Sequence, residues 1–218
     1  MSLGTIVADL SHFGLIRFAG DDAQHFLNSQ LSCDVSSLEP LRARYGSYST
    51  PKGRMLASFL LWRDAAGFFM QLPGSVREAT QKRLSMYILR SKVKAEDASG
   101  AHVLIGVAGN DAGAILKPLF AELPAETLTL TSAEGASVLR LAADRYQIIA
   151  SPERAPALRD AIANDAAPVG PAVWDWLDIR AGIPFITPAT QEQFVPQMAN
   201  LDAIGGVSFN KGCYPGQE

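Results

Sequence analysis

The segment Phe209-Asn210-Lys211-Gly212-Cys213-Tyr214-Pro215-Gly216-Gln217-Glu218 holds the residue with the most chemistry to offer, Cys213. Glycine on either side gives backbone that bends sharply and keeps the thiol accessible. Lys211 is near enough in sequence to favour the thiolate, the form that attacks electrophiles and binds metal, and Glu218 opposes it if its carboxylate approaches the sulfur. A buried, inert thiol is the other reading, and the residue types alone leave both open. A lone thiol does not supply the several ligands that zinc or an iron–sulfur cluster takes. Cys33, in Leu31-Ser32-Cys33-Asp34, reads as a small packed side chain, and His12, His25 and His102 have no metal-ligand spacing. No phosphate-cradling glycine loop or Ser/His/Asp arrangement occurs.

The elements that must position this segment come in two similar halves. Ile16-Arg17-Phe18-Ala19-Gly20-Asp21-Asp22-Ala23 is echoed by Ile105-Gly106-Val107-Ala108-Gly109-Asn110-Asp111-Ala112. Each alternates like a strand, stops at glycine and offers Asp or Asn as a helix N-cap. Phe26, Leu27 and Leu31, matched by Ile115, Leu116 and Phe120, continue at helical spacing. A second unit follows in each half: a strand at 67–72 with a helix over about 76–89, and a strand at 145–150 leading through Ser151-Pro152 into a helix near 153–163. Residues 54–62 form a long apolar run expected as a strand buried on both faces. Each half thus reads strand–helix–strand–strand–helix–strand, the split βαβ plan of an α+β fold. The expected division is 1–98 and 99–218, at the polar break around Ser99-Gly100. A further helix is expected over 172–181. Beyond Pro184 the chain is irregular and punctuated by Pro and Gly, as segments that carry sites often are.

Composition narrows the function. The chain has 218 residues, 48% apolar and 19% charged, with a formal charge of -3, so no global basic field draws nucleic acid. No apolar run reaches the roughly 18–20 residues of a membrane span. Met1-Ser2-Leu3-Gly4 lacks a secretory pattern, and two cysteines suit a reducing cytoplasm. Lys82-Arg83 and Arg90-Ser91-Lys92-Val93-Lys94 form a local basic patch, expected as a solvated face, with docking of RNA or an acidic protein as the alternative.

Lys211 to Glu218 match Lys-Gly-Cys-Tyr-x-Gly-Gln-Glu at every specified position, and on these residues the chain resembles the YgfZ family of folate-binding, T-protein-like proteins. Further blocks carry the resemblance in the same order: Gly20 to Ala23 with Phe26-Leu27, then Pro51-Lys52-Gly53-Arg54-Met55. Gly182-Ile183-Pro184, Phe194 to Gln197, Asn200-Leu201-Asp202 and Gly205 to Phe209 complete it.

The resemblance implies two pseudo-repeated ferredoxin-like halves around a central folate-binding hole, and a C-terminal β-barrel domain beyond Glu218. It implies a tetrahydrofolate-binding accessory factor that supports assembly or repair of iron–sulfur enzymes, tRNA-modifying ones included, with those client proteins as partners. Direct nucleic-acid or membrane binding is not expected. The activity is assigned to Cys213 with Lys211, and folate contacts to Phe13, Trp174, Tyr214, Gln217 and Glu218. Core packing is the plainer reading of Phe13 and Trp174. The aminomethyltransferase of the same fold places an acidic pair where Ala57 and Ser58 stand here, so aminomethyl transfer is not expected. The alternative is a folate-dependent one-carbon enzyme with Cys213 as nucleophile.

Overall fold

The computed structural model of the chain describes residues 4–217. The elements run β1 (Ile6–Asp9), β2 (Phe13–Ala19), α1 (Ala23–Gln30), β3 (Ala43–Ser49), β4 (Met55–Asp64), β5 (Gly67–Pro73), α2 (Gly74–Ser85) and β6 (Lys94–Asp97). Then come β7 (Val103–Ala108), α3 (Ala112–Leu116), β8 (Thr129–Ala133), β9 (Ala136–Ala142), β10 (Arg145–Ala150), α4 (Ala155–Ala163), β11 (Ala167–Val169) and α5 (Pro171–Arg180). Two sheets result, one ordered β3-β4-β5-β2-β6 and one ordered β11-β1-β7-β10-β9-β8. The fold is α+β, with each sheet covered by helices over its own apolar cluster. In the five-stranded unit Ile16, Phe18, Phe59, Leu61, Phe68 and Met70 meet Phe26 and Leu27 of α1 and Val76 and Leu84 of α2. In the six-stranded unit Ile105, Val107, Tyr146 and Ile148 meet Leu116 of α3 and Leu158 and Ile162 of α4.

The internal repeat is a geometric repeat. Gly20 and Gly109 have φ of 121° and 129°, a region that favours glycine. The residues that open the following helices, Asp22 and Asp111, share φ/ψ of about -96°/3° and -95°/3°. Both glycines stand against a neighbouring backbone: a Cβ on Gly20 would lie 2.0 Å from the Lys92 carbonyl oxygen, and one on Gly109 would lie 2.6 Å from Thr5 Cα. Neither Asp caps its helix through its side chain, contrary to the N-cap expectation. The Asp22 carboxylate instead accepts from the Lys92 amide at 2.7 Å, tying the turn to the segment that leads into β6.

The units are not sequential along the chain. Among the described residues, 4–11 join Ser99–Leu177, and 178–217 join His12–Ala98. Backbone pairing is the reason, because β1 lies antiparallel to β7 and parallel to β11, while β6 flanks β2. In the sheet order β1 stands beside β7 as β6 stands beside β2. β3 adds a strand to the plan read from the sequence, pairing along Ala43–Ser49 with β4. α2 ends at Ser85, short of the expected 89, where Leu89 takes a left-handed φ of 46°. α4 begins at Ala155, after a turn at 152–154, with Pro156 rather than Pro152 in its first helical turn.

Candidate functional site: a pinned loop that exposes a thiol

The irregular segment after α5 is laid against the five-stranded unit by specific hydrogen bonds. The Met55 amide donates to the Phe194 carbonyl and the Glu192 amide donates to the Met55 carbonyl, each at 2.8 Å. The Gln191 side-chain amide donates to the Leu56 carbonyl at 2.8 Å, and the Arg54 guanidinium to the Gln193 carbonyl at 3.1 Å. Beneath these, Met55, Ile186, Leu201 and Val207 form a small apolar cluster of their own. Further on, the Ser208 amide donates to the Ser32 carbonyl at 2.9 Å, and the Ser32 hydroxyl donates to the Gly206 carbonyl at 2.6 Å.

The turn between β3 and β4 receives the signature segment. Thr50 organises it: its amide donates to the Arg54 carbonyl at 2.8 Å, its carbonyl accepts from Gly53 at 2.9 Å, and its hydroxyl accepts from the Arg54 amide at 3.2 Å. Gly53 and Gly216 both have positive φ, 76° and 82°. They meet back to back. A Cβ on Gly216 would lie 2.2 Å from the Thr50 carbonyl oxygen and 2.7 Å from Gly53 Cα, and one on Gly53 would lie 2.9 Å from the Gly216 oxygen. Two blocks far apart in sequence thus require glycine for one contact. Gly212 has open space around it, so its place beside the cysteine is not set by crowding.

Lys211 reaches away from that turn to the end of α1. Its ammonium donates to the carbonyls of Asn28, Leu31 at 2.6 Å and Cys33 at 3.0 Å. Carbonyls at a helix C-terminus lack intrahelical partners and carry partial negative charge, so a cation there is held by both geometry and field. The Tyr214 ring lies 5.1 Å from the same ammonium, a cation–π distance. Burial lowers the Lys211 pKa, opposed by Cys33 and Asp34. Burial likewise raises that of the Tyr214 phenol, with Cys33 adding to it. Gln217 closes the turn, its side-chain oxygen accepting from the Tyr214 amide at 3.3 Å and its own amide donating to the Tyr214 carbonyl at 3.2 Å. Cys213, between the pinned Lys211 and the buried Tyr214, is exposed. Cys33 is a buried free thiol whose pKa burial pushes up to about 11, against the opposing pull of Lys211. Glu218 lies outside the described residues.

At the two positions that the resemblance sets against an acidic pair, Ala57 is fully buried in the apolar cluster. Ser58 donates to the Pro184 carbonyl at 2.6 Å and accepts from the Ile186 amide at 2.9 Å. The hydroxyl therefore anchors the start of the irregular segment. An uncharged side chain with its donor committed to a carbonyl offers no negative charge to a developing cation.

The two expected folate aromatics are each inside their unit. Phe13 is buried, with its ring centroid 4.2 Å from that of His12 and 5.0 Å from that of Phe185. Trp174, 1% exposed, lies flat enough on β7 that a Cβ on Gly106 would come within 2.4 Å of its ring. The Arg145 guanidinium stands 4.0 Å from the indole centroid. Gln147 is paired in register with Gly106, so its buried side chain projects on the same face as Trp174. The indole, the Gln147 amide and the Arg145 guanidinium, which also donates to the Trp174 carbonyl at 3.4 Å, thus share one buried face of this sheet. Sequence reasoning did not find Thr50, Ser32 or the α1 carbonyls, because a hydroxyl or carbonyl that anchors a remote loop has no local pattern. Gly53 stands in a block that carries the resemblance, and the glycine itself, the residue suited to positive φ, is the detectable signal.

A family model described as the GCVT N-terminal domain matches residues 3–146. The tRNA-modifying protein YgfZ of Shigella sonnei is 36% identical over 212 residues, which is 96% of this chain and 64% of that protein. The protein of the same name from Klebsiella pneumoniae is 35% identical over 211 residues, with the same coverage. The chain therefore spans 64% of the length of these curated relatives. Among solved structures, the glycine cleavage system aminomethyltransferase T of Bartonella henselae superimposes with a TM-score of 0.68 at 20% identity, over 78% of this chain and 48% of that one. At that identity the likeness speaks for the fold.

Proposed function

The chain belongs to the GCVT N-terminal domain family, and from that premise we propose that it is a tetrahydrofolate-binding accessory factor of the YgfZ kind. In this reading it supports the assembly or repair of iron–sulfur enzymes, tRNA-modifying ones among them, through Cys213. The observation that carries the proposal is the exposed Cys213 on a loop fixed on both sides, by Lys211 on the carbonyls at the end of α1 and by Gly216 against Gly53. A fixed, accessible sulfur can engage a client's cluster or an electrophile without being consumed in a structural bond. Lys211 acts here by positioning. Tyr214 and Gln217 hold the turn's shape, and Glu218 completes the signature. Reduced folate, where bound, supplies a carrier for one-carbon units. Trp174 with Gln147 and Arg145 would hold its pterin within the six-stranded unit. A reducing cytoplasm suits the two free thiols. Among the described residues no helix is long and apolar enough to cross a membrane.

Aminomethyl transfer is disfavoured by Ala57 and by the committed hydroxyl of Ser58. Expression of Cys213→Ala in cells lacking the protein tests the proposal through iron–sulfur enzyme activity and the level of modified tRNA. The variant is expected to fold and fail to restore either, and full rescue would overturn the role of the thiol. Titration with tetrahydrofolate is expected to quench tryptophan fluorescence, with most of the quenching lost in Trp174→Phe. Turnover of one-carbon donors with tetrahydrofolate that vanishes in Cys213→Ala would instead favour the enzyme reading.

A further inference from the structure

A concave site lies in the five-stranded unit, on the face of the sheet that carries the helices. It is a cavity of about 330 Å³ lined by Tyr48 of β3, Leu56 of β4, Ala79, Thr80, Lys82 and Arg83 of α2, Met86 just beyond the helix, and Gln191. Two of its lining side chains are cations and none is a carboxylate. Among the described residues neither Lys82 nor Arg83 is in an ion pair, whereas Arg17, Arg44, Arg77, Lys92, Lys94 and Arg159 all are. The Arg83 Nε is buried and has no hydrogen-bond partner. Burial raises the pKa of the Tyr48 phenol, and Arg83 opposes the rise. Leu56, Ala79 and Met86 give the same cavity an apolar wall.

Adjacent unpaired cations in a concave, partly apolar space raise each other's energy, and an anion removes that cost while gaining charge-assisted hydrogen bonds. The surrounding surface is not a general polyanion track, because Lys92 and Lys94 nearby are matched by Asp21 and Glu96. The positive charge is local to the cavity, which points to a small ligand. A carboxylate would neutralise one of the two cations. A phosphate monoester carries nearly two charges at neutral pH, offers several acceptor oxygens to an arginine and a lysine, and can leave its carbon body on the apolar wall.

We propose that the cavity between α2, the β3–β4 end of the sheet and Gln191 binds a small phosphate monoester, with Arg83 and Lys82 holding the phosphate and Leu56, Ala79 and Met86 taking the organic group. This site is separate from the thiol loop and does not depend on the folate reading.

Calorimetric titration of the chain with phenyl phosphate, benzoate and inorganic phosphate tests it. Phenyl phosphate is expected to bind saturably and at least about tenfold more tightly than benzoate, about 1.4 kcal/mol by the affinity relation. Inorganic phosphate is expected to compete more weakly, for want of the apolar contact. Arg83→Gln and the surface variant Lys82→Gln are each expected to weaken phenyl phosphate by about tenfold or more, the scale of a lost charge-assisted contact, with melting curves confirming that both are folded. Because Lys82 is exposed, its variant keeps the test decisive if Arg83→Gln is unstable. Benzoate binding as tightly as phenyl phosphate would overturn the phosphate assignment. Absence of saturable binding at millimolar probe, or unchanged affinity in Lys82→Gln, would overturn the site.

Discussion

Two close approaches, one in each unit, use the same device for different ends. In the six-stranded unit, Gly106 lets the Trp174 indole lie on the sheet, where a Cβ would come within 2.4 Å of the ring. In the five-stranded unit, Gly216 and Gly53 let the signature loop lie on the β3–β4 turn, where a Cβ on Gly216 would come within 2.2 Å of a carbonyl oxygen. The first contact is buried core, side chain against backbone. The second is backbone against backbone at the edge of an irregular segment that carries an exposed thiol. The internal repeat sharpens the contrast, since Gly106 takes the place that Arg17 has in the first half. There the guanidinium reaches the Ala66 carbonyl at 2.8 Å and Glu96 at 3.3 Å. At this position one repeat has a charged side chain and the other has none, and the bare backbone leaves room for an aromatic ring on the sheet. Loss of the first contact should act on folding as a whole, and loss of the second on the loop.

The largest expected effect follows from filling or emptying the first contact. Trp174→Ala should destabilise the chain by about 3–5 kcal/mol, as removal of a large buried aromatic does, and Gly106→Ala by about 1–3 kcal/mol through overpacking. Denaturant unfolding measures both, and a near-neutral Gly106→Ala would break the comparison. Gly216→Ala is next. The left-handed φ alone costs roughly 1–2 kcal/mol, and the crowding forces the loop off its turn. Its melting curve should change less than that of Trp174→Ala, while alkylation of Cys213 by iodoacetamide changes in rate and Cys33 stays protected. Unchanged labelling would mean that the glycine pair does not position the thiol.

Lys211→Met removes the cation from three carbonyls and should cost about 1–3 kcal/mol, the scale of a lost buried hydrogen-bonding partner. The loss should appear as faster amide exchange at the end of α1 and in the loop, with protection in the six-stranded unit unchanged. The smallest effect is at Asp34, whose carboxyl is lowered to about 2, first by the hydroxyl of Ser36 and then by that of Ser37. Its folded pKa lies below the unfolded value of about 3.9. Its contribution is therefore complete above about pH 4 and fades as the pH falls toward 2. Asp34→Asn should flatten the stability curve in that window and nowhere else, checked by urea unfolding across pH.

Much of the scaffold was legible because it obeys local rules. The Gly20 and Gly109 turns, the strands at 67–72 and 145–150 and the last helix follow from alternation, helical spacing and glycine at positive φ. β3 was missed because Arg44, Gly46 and Ser47 blur the alternation that Ala43, Tyr45 and Tyr48 would otherwise give. The end of α2 was overrun because Met86, Ile88 and Leu89 continue an apolar rhythm, although Leu89 is left-handed and exposed. At the site, the sequence singled out Cys213, Lys211 and the glycines around them. It did not say that Lys211 would reach the end of α1, because a lysine side chain can span many directions and only the docked backbone selects one.

The order of apolar and turn-forming residues by itself determined the α+β class, the doubled strand–turn–helix plan and the segment worth watching, since each rests on near-neighbour spacing. Tertiary structure alone decided that β1 and the segment from Asp178 would each join the unit of the other half, because strand pairing and loop docking are won by partners distant along the chain. It also decided that one cysteine is sealed at the centre of an apolar cluster and the other left open, a difference set by which backbones come close enough to touch.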